Sequence, residues 1–454
     1  MKIFDLIVIG AGRGSNLAVK AAKLGKKVAI IEKDKLGGTC PNRGCVPSKL
    51  LIGYANKIRE IKSSKKHYIN SYIDTIDKEK IFEDTNDYID SVESFYEKKF
   101  NENVTVYKGE ASFIENKIIQ INEDKITAEN IVISTGSRPA EPLTKESWTS
   151  DDIFPLEKIP KSITIVGAGF IACELANFFD AIEVKTIQLV RGETLLENED
   201  KDIQEIFKNE YTKNVDVRFN SSIKEAKQKE DYFDIELEDG NFIQTQALLY
   251  AIGRVSNADT LNLENTDIKL TKRGFIKRDE FFQTDVKGVY VVGDASGENM
   301  LQHAAAYEVN YLFKILFEEE NKPLKFKYMP HAVFSNPEVA SVGFTEQKAK
   351  ELNLNYVIST TSWKASAKAK SLKIDYPKTK FILNPYTYEI LGCHLIGFES
   401  ATIIHQVLAI MHIENDIRHL KDMLYIHPAL SEVLLPAAVN AVKVIEEYKK
   451  SQES

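Results

Sequence analysis

The stretch Phe4-Asp-Leu-Ile-Val-Ile-Gly10-Ala-Gly12-Arg-Gly14-Ser15 decides how this chain is read. An apolar run, Phe4 to Ile9, stops at a glycine-rich turn. An alanine-rich segment with helical spacing follows through about Leu24, and a second apolar run, Val28 to Ile31, ends in Glu32. Strand, glycine turn, helix, strand and acid make one βαβ nucleotide-binding unit. Gly10 and Gly12 permit a tight turn and the close approach of a pyrophosphate, which the N–H groups of the helix start would hold. Glu32, with Lys33 beside it, can accept hydrogen bonds from an adenosine ribose. Ser15 stands at the third glycine position of the fingerprint, so the helix-to-strand contact there must accommodate a small side chain.

The same order returns downstream. Ser162 to Val166 leads into Gly167-Ala-Gly169, then Phe170, Ile171 and Ala172, a helix from Cys173 to Phe179, and a strand from Lys185 to Val190. Here the ribose-binding acid is missing: Val190 holds its place and Arg191 follows. Arginine at that point suits a 2′-phosphate and favours NADPH, with NADH still possible because Glu193 and Glu197 temper the positive field. The alternative for Arg191 is a solvated strand-end charge. Between the two units, Ile58 to Phe100 reads as a pair of exposed helices, followed by strands at Val104 to Val106 and Ile118 to Ile121. Arg138 to Pro160 reads as a polar, proline-bearing linker. Phe233 to Leu237 and Ala247 to Ile252 are expected to complete the second unit's sheet. From about Tyr328, short strands alternate with helices, among them the apolar Ile403 to Met411.

At 454 residues the chain is long enough for about three domains of roughly 150 residues. A net charge of −8 argues against nucleic-acid binding, which calls for a basic patch. No apolar stretch approaches the roughly 18 residues of a membrane span, and the N-terminal run is too short and glycine-rich for a signal peptide. A cytoplasmic protein with no membrane partner is expected. Four cysteines are too few for a disulfide scaffold, so the close pair Cys40 and Cys45 is expected to be catalytic or metal-binding. No further Cys or His nearby completes a metal site. Cys173 and Cys393 are expected to be small core residues.

That pair lies in Gly37-Gly38-Thr39-Cys40-Pro41-Asn42-Arg43-Gly44-Cys45-Val46-Pro47-Ser48-Lys49, directly after the first unit. The motif resembles that of the flavin-dependent pyridine nucleotide disulfide oxidoreductases, the family of glutathione, mycothione and dihydrolipoamide reductases, and the resemblance runs along essentially the whole chain. The resemblance implies an α/β fold: two Rossmann-like dinucleotide-binding domains, for FAD and NAD(P)H, plus a C-terminal α+β dimerisation domain. The expected division is 1–141 with 255–327 for FAD, 142–254 for the nicotinamide, and 328–454 for the interface. Two cysteines four residues apart at a helix start can close a small disulfide, and the helix dipole lowers the thiolate pKa when it opens.

By resemblance, Cys45 is the thiolate beside the flavin and Cys40 the interchange thiol that attacks substrate. Lys49 would sit at the reactive edge of the isoalloxazine and pair with Glu174, while Phe170 gates the nicotinamide pocket and Gly253 is a further NADPH-binding residue. Gly38, Thr39, Thr135, Gly136, Gly293 and Asp294 would complete the FAD site. His427 and Glu432, in Ile426-His427-Pro-Ala-Leu-Ser-Glu432, resemble the family's proton-shuttling dyad, which reaches the other subunit's disulfide and so implies a homodimer. His303, His331, His394, His405, His412 and His419 have no such partner and are expected to be packing or surface residues. Lys20 and Tyr96 fall near positions that grip glutathione in its reductase, with plain surface roles as the alternative. The function implied is electron transfer from NADPH through FAD and the Cys40–Cys45 pair to a low-molecular-weight disulfide. The alternatives are an NAD-linked dihydrolipoamide dehydrogenase and a non-catalytic nucleotide-binding flavoprotein.

Overall fold

The computed structural model describes residues 1–156 and 158–453. The first glycine turn leaves a seven-stranded sheet whose main path runs Val104–Lys108, Val28–Glu32, Lys2–Ile9, Asp124–Ile133, Ile118–Ile121, Ala111–Glu115. Lys2–Ile9 is parallel to both neighbours. It is covered on both faces, which is why its apolar run is continuous rather than alternating: Leu6, Ile7 and Val8 are wholly buried. Asp124–Ile133 is shared between partners. Its first residues pair antiparallel with Ile118–Ile121, and its last three pair parallel with Val289–Val291. The chain therefore leaves this sheet and later returns to it. Departure and return lie side by side, because Ser137–Pro139 and Arg254–Ser256 form an antiparallel ribbon.

Between those two crossings lies a second parallel sheet, ordered Asp216–Arg218, Lys185–Leu189, Ser162–Val166, Ala247–Tyr250. Ala247–Tyr250 joins it as the sequence suggests. Phe233–Leu237 does not: it is the middle strand of a separate antiparallel sheet, between Ile223–Gln228 and Phe242–Thr245. Its burial pattern gives the reason. Phe233, Ile235 and Leu237 are buried while the residues between them are not, the period-two signature of a sheet with one dry face. That dry face packs on Ile187, Leu189, Leu248 and Tyr250 of the parallel sheet.

The helices between the first two sheets also differ from expectation. They span Cys45–Lys62 and Lys78–Glu97, and they are not simply exposed. Ile81, Phe82, Ile89 and Val92 are buried, Phe82 meets Phe178 edge-on at 5.8 Å, and Arg59 bonds Asn177 and Asp180. The apolar stripe is narrow, so the composition reads as polar even though the stripe is covered. The last third folds as a five-stranded antiparallel sheet, ordered His331–Val333, Val339–Gly343, Ile390–Ile396, Lys378–Leu383, Val357–Ser362. Helices Ser400–Ile413 and Leu434–Glu453 share its core. Among the described residues no helix is long and apolar enough to cross a membrane.

Candidate active site

The first turn is shaped by what surrounds each glycine. Gly10 has φ +100°, and a Cβ there would run into the carbonyl of Ser134. Gly12 faces the second loop, with Gly38 Cα 3.7 Å from where its Cβ would be, and a Cβ on Gly38 would come within 2.7 Å of Gly12 Cα. The helix-to-strand contact assigned to Ser15 is made by its neighbour: a Cβ on Gly14 would collide with Ser134 Oγ and Val8 Cγ1. Ser15 is fully buried and turns its hydroxyl back to donate to Ala11 O at 2.6 Å. Glu32 steadies the turn, accepting from Ala11 N at 2.8 Å and Asp34 N at 3.0 Å. Burial pushes its carboxyl up from the ordinary range, against the pull of the Ala11 N–H.

This turn opens on a cleft of about 350 Å³ lined by Gly10, Gly12, Glu32, Lys33, Gly38, Thr39, Cys40, Thr135, Gly136, Gly293 and Asp294. Every residue assigned to FAD from the sequence lies there except Ser15 and Lys49. Lys33 pairs with Glu110 at 3.0 Å on the rim. Asp294 accepts from Ser137 Oγ at 2.6 Å, and Arg254 holds that serine through Nε at 2.9 Å. Thr135 Oγ1 is buried without a hydrogen-bond partner, although Asn257 Nδ2 donates to the Thr135 carbonyl at 2.8 Å. A buried hydroxyl left unpaired costs about 1–3 kcal/mol, and a polar ligand in the cleft would satisfy it. The glycine cradle, the acid at the strand end and this orphaned hydroxyl fit a flavin dinucleotide.

Arg13, Arg43, Asp151, Asn257 and Gln302 also line the cleft and were not assigned from the sequence. Arg43, between the two cysteines, forms an ion pair with Asp34 and lies 3.9 Å from Asp151. It ties the redox turn to the first unit and to the connector. No spacing rule would have found the Asp151 contact, because that partner comes from a distant loop.

Cys40 sits in the short helix Thr39–Arg43, and Cys45 is the first residue of the helix Cys45–Lys62; both are free thiols. The two sulfurs share a proton unequally. A hydrogen bond from Cys40 lowers the Cys45 thiol to about 7, with Lys49 adding to the effect, while the same bond and burial push Cys40 up. Of the two thiols, Cys45 is the one that ionises first. Lys49 Nζ reaches Glu174 Oε2 at 2.7 Å, and Glu174, almost fully buried, also accepts from Phe334 N at 2.9 Å. Cys173 and Cys393 are buried in a helix and a strand, and burial raises both thiols, Cys173 to about 12.

The second turn is built differently. Gly167, at φ +147°, has the Ala251 carbonyl where a Cβ would go, but Gly169 and Gly253 have nothing within 4 Å. Phe170 opens the helix Phe170–Ala181 and is exposed, with Ile171 half-buried and Ala172 buried behind it. At the strand end Val190 is buried and Arg191 exposed. None of these residues lines the first cleft.

His427 and Glu432 do form a pair: Nδ1 lies 2.9 Å from Glu432 Oε1, and Oε2 accepts from Ala429 N at 2.9 Å. The His427 bond, then the Ala429 N–H, hold the carboxyl below its usual range. The imidazole is 75% exposed and is not part of its own chain's cleft. Lys20 is exposed and donates to Asn310 at 2.8 Å, whereas Tyr96 packs against Gly37, next to the redox loop. The expectation that the remaining histidines lack acidic partners needs correction. His331 Nε2 is 2.6 Å from Glu199, which also accepts from Ser341 at 2.6 Å, and His419 is 3.2 Å from Glu414. The fold brings Glu199 and His331 together across 132 positions of sequence, so the spacing carried no signal.

Comparison with known proteins agrees with this geometry. Residues 4–308 match the family described as pyridine nucleotide-disulphide oxidoreductase, and residues 329–438 match its dimerisation domain. A glutathione reductase of Burkholderia cepacia is 31% identical over 445 residues, covering 94% of this chain and 97% of that protein. A dihydrolipoyl dehydrogenase of Buchnera aphidicola is also 31% identical, covering 94% of each. Among solved structures, the Cu(II) complex of the HOCl-induced flavoprotein disulfide reductase RclA from Escherichia coli superposes with a TM-score of 0.87 at 25% identity, covering 97% of this chain and 99% of that one.

Proposed function

The chain belongs to the pyridine nucleotide-disulphide oxidoreductase family and is an FAD- and NAD(P)H-dependent oxidoreductase acting on sulfur groups, and from that premise we propose that it reduces a low-molecular-weight disulfide. The observation that carries the proposal is the division of labour between the two sulfurs. Cys45, beside the Lys49–Glu174 pair, is the more acidic of the two, while Cys40 holds its proton more tightly.

FAD, when bound, supplies the carrier that takes two electrons from the nicotinamide and delivers them to the cysteine pair. The chain's own residues do the rest. Cys40 passes its proton to His427 of the partner subunit as it attacks one sulfur of the substrate disulfide, forming a mixed disulfide and expelling one thiolate. His427 of the partner subunit, held by Glu432, gives that thiolate its proton. Cys45 then attacks Cys40, re-forming the internal disulfide and releasing the second thiol. The sum is one disulfide, one NADPH and one proton converted to two thiols and NADP⁺. The exposure of His427 away from its own cleft supports its service to a second copy.

The missing acid at Val190, with Arg191 exposed beside it, supports NADPH as the preferred donor. Sheet pairing supports a flavin domain of 1–141 and 255–327 interrupted by a nicotinamide domain of 142–254, with 328–454 as the interface. A cytoplasmic setting follows for a thiol-keeping activity of this kind. The test is Cys40→Ser. Nicotinamide-dependent bleaching of the flavin should persist while turnover of glutathione, mycothione, bacillithiol and coenzyme A disulfides, and of lipoamide, is lost. Residual disulfide turnover at more than about a thousandth of the parent rate would remove Cys40 from the proposed role.

A further inference from the structure

We propose that Phe334 is a positioning residue for the Lys49–Glu174 pair, and that Glu199, through His331 and Ser341, is the clasp that keeps Phe334 in place. By this route the sheet of the last third, which carries His331, also tunes the redox pair of its own chain. The inference deepens the reductase reading and rests on it for the role of Cys45.

Phe334 touches both members of the pair. Its backbone N–H donates to Glu174 Oε1 at 2.9 Å, while the other carboxylate oxygen accepts from Lys49 Nζ at 2.7 Å. Its ring faces the ammonium, with the centroid 4.8 Å from Lys49 Nζ. An aromatic face holds a cation through its quadrupole without neutralising it, so the ring directs Lys49 and leaves the charge in play. That placement matters to the sulfur. The Cys45 thiol is lowered first by the Cys40 hydrogen bond and further by the Lys49 charge, against burial and the Glu174 charge. The two members of the pair pull on Cys45 in opposite directions, and what reaches the sulfur depends on where each is held.

Phe334 itself needs holding, because it follows a strand of three residues, His331–Val333, at the edge of its sheet. That strand pairs on one side, with Val339–Gly343. Two contacts from elsewhere in the fold compensate. His303, on the helix Gln302–Phe317, donates through Nε2 to the Pro330 carbonyl at 2.9 Å. Glu199, just ahead of the helix Lys201–Tyr211, reaches two strands at once: Oε1 accepts from His331 Nε2 and Oε2 from Ser341 Oγ, each at 2.6 Å. His331 and Ser341 are cross-strand partners, and His394, opposite Ser341 on the next strand, lies 3.0 Å from its hydroxyl. Burial works against the Glu199 charge, but His331 and the Ser341 hydroxyl outweigh it and hold the carboxyl below its usual range. One buried carboxylate thus fastens the edge strand to its neighbour, and both to the second nucleotide unit. A shift at His331 passes along the chain to the N–H and the ring that hold the pair.

The experiment reads the Cys45 thiol in NADPH-reduced holoenzyme, as the rate of alkylation by iodoacetamide against pH, followed on the peptide that carries Cys45. Phe334→Leu keeps the backbone N–H and removes the ring. It should raise the midpoint and lower the rate near neutrality by about two- to fivefold, the worth of a cation–π contact, while Phe334→Tyr keeps the parent profile. His331→Leu should shift the midpoint in the same direction, and His331→Gln, whose amide can still donate to Glu199, should restore it. The double change Phe334→Leu with His331→Leu should move the midpoint no further than the larger single change, because one residue acts through the other. The Phe334 variants strand no buried charge, so they decide the matter even where His331→Leu holds no flavin. A profile unmoved by Phe334→Leu, in an enzyme that still reduces disulfides, overturns the inference, and full additivity of the two changes overturns the clasp. Failure of the parent to reduce any disulfide sinks the reductase reading, and the inference with it.

Discussion

The two glycine turns carry the same spacing, yet the structure surrounds them differently. At Gly10 and Gly167 backbone stands where a side chain would go, the Ser134 carbonyl in one case and the Ala251 carbonyl in the other. Those glycines are needed by the fold alone. The second glycine is where the turns part: Gly12 is roofed by Gly37 and Gly38 of the redox loop, whereas Gly169 has open space. The first unit also closes its turn with Glu32 on the Ala11 N–H, and the second ends its strand in Val190 and exposed Arg191. One turn is enclosed by the loop that carries the cysteines, as suits a resident cofactor. The other is open, as suits a cofactor that arrives and leaves with each turnover.

The sharpest way to break this contrast is with alanine at matched positions. Gly10→Ala places a Cβ against backbone at φ +100°, a strain of about 1–3 kcal/mol before the clash is counted, and should yield protein with little bound flavin and a lowered Tm. Gly169→Ala meets nothing within 4 Å and should fold with a stability change within about 0.5 kcal/mol, while raising KM for NADPH. The flavin-to-protein absorbance ratio and a thermal melt read both. If Gly169→Ala lost flavin as Gly10→Ala does, the turns would not differ as described.

A smaller effect is expected at the strand ends. Val190→Glu gives the second unit the acid that the first has in Glu32. It should move the NADH-to-NADPH ratio of kcat/KM toward NADH by about tenfold, the worth of a hydrogen bond between a ribose hydroxyl and a charged group. An unchanged ratio would mean that the adenosine end of the nicotinamide cofactor lies elsewhere.

How much of this contrast was legible without coordinates depends on what kind of contact carries it. The turns, the strand-end acids and the paired cysteines are local patterns, and all of them stand where the sequence suggests. The Lys49–Glu174 pair was available only through family resemblance, because 125 positions separate its members. Gly14 was overlooked because the fingerprint directs attention to the third glycine position, and only the path of the helix over Val8 shows which residue needs to be small. Phe233–Leu237 was placed in the wrong sheet because a five-residue apolar alternation does not say which sheet it will join. The meetings of Arg43 with Asp151 and of His331 with Glu199 join distant loops, and no residue spacing encodes them.

The two units meet at Lys49 and Glu174, and the smallest predicted effect lies there. Lys49→Gln alone would leave the buried Glu174 carboxylate without its cation, a loss of fold rather than a probe of chemistry. The double change Lys49→Gln with Glu174→Gln replaces the ion pair by two amides, and the amide oxygen introduced by the second change can still accept from Phe334 N. The Cys45 thiol, lowered to about 7 chiefly by Cys40 and further by Lys49, should then titrate modestly higher. Its alkylation rate against pH would rise through a higher midpoint, with the rate near neutrality falling several-fold. Stability should follow the same group. The folded state of the reduced enzyme gives up the Cys45 proton near 7 and the unfolded chain near 9, so the unfolded chain holds more protons between those values. The reduced protein should therefore gain stability as pH rises across that window and lose it as pH falls through about 7. The double variant should show a shallower rise. An identical alkylation midpoint in parent and double variant would show that the thiolate owes nothing to the contact between the units and is set by Cys40 and the helix start alone.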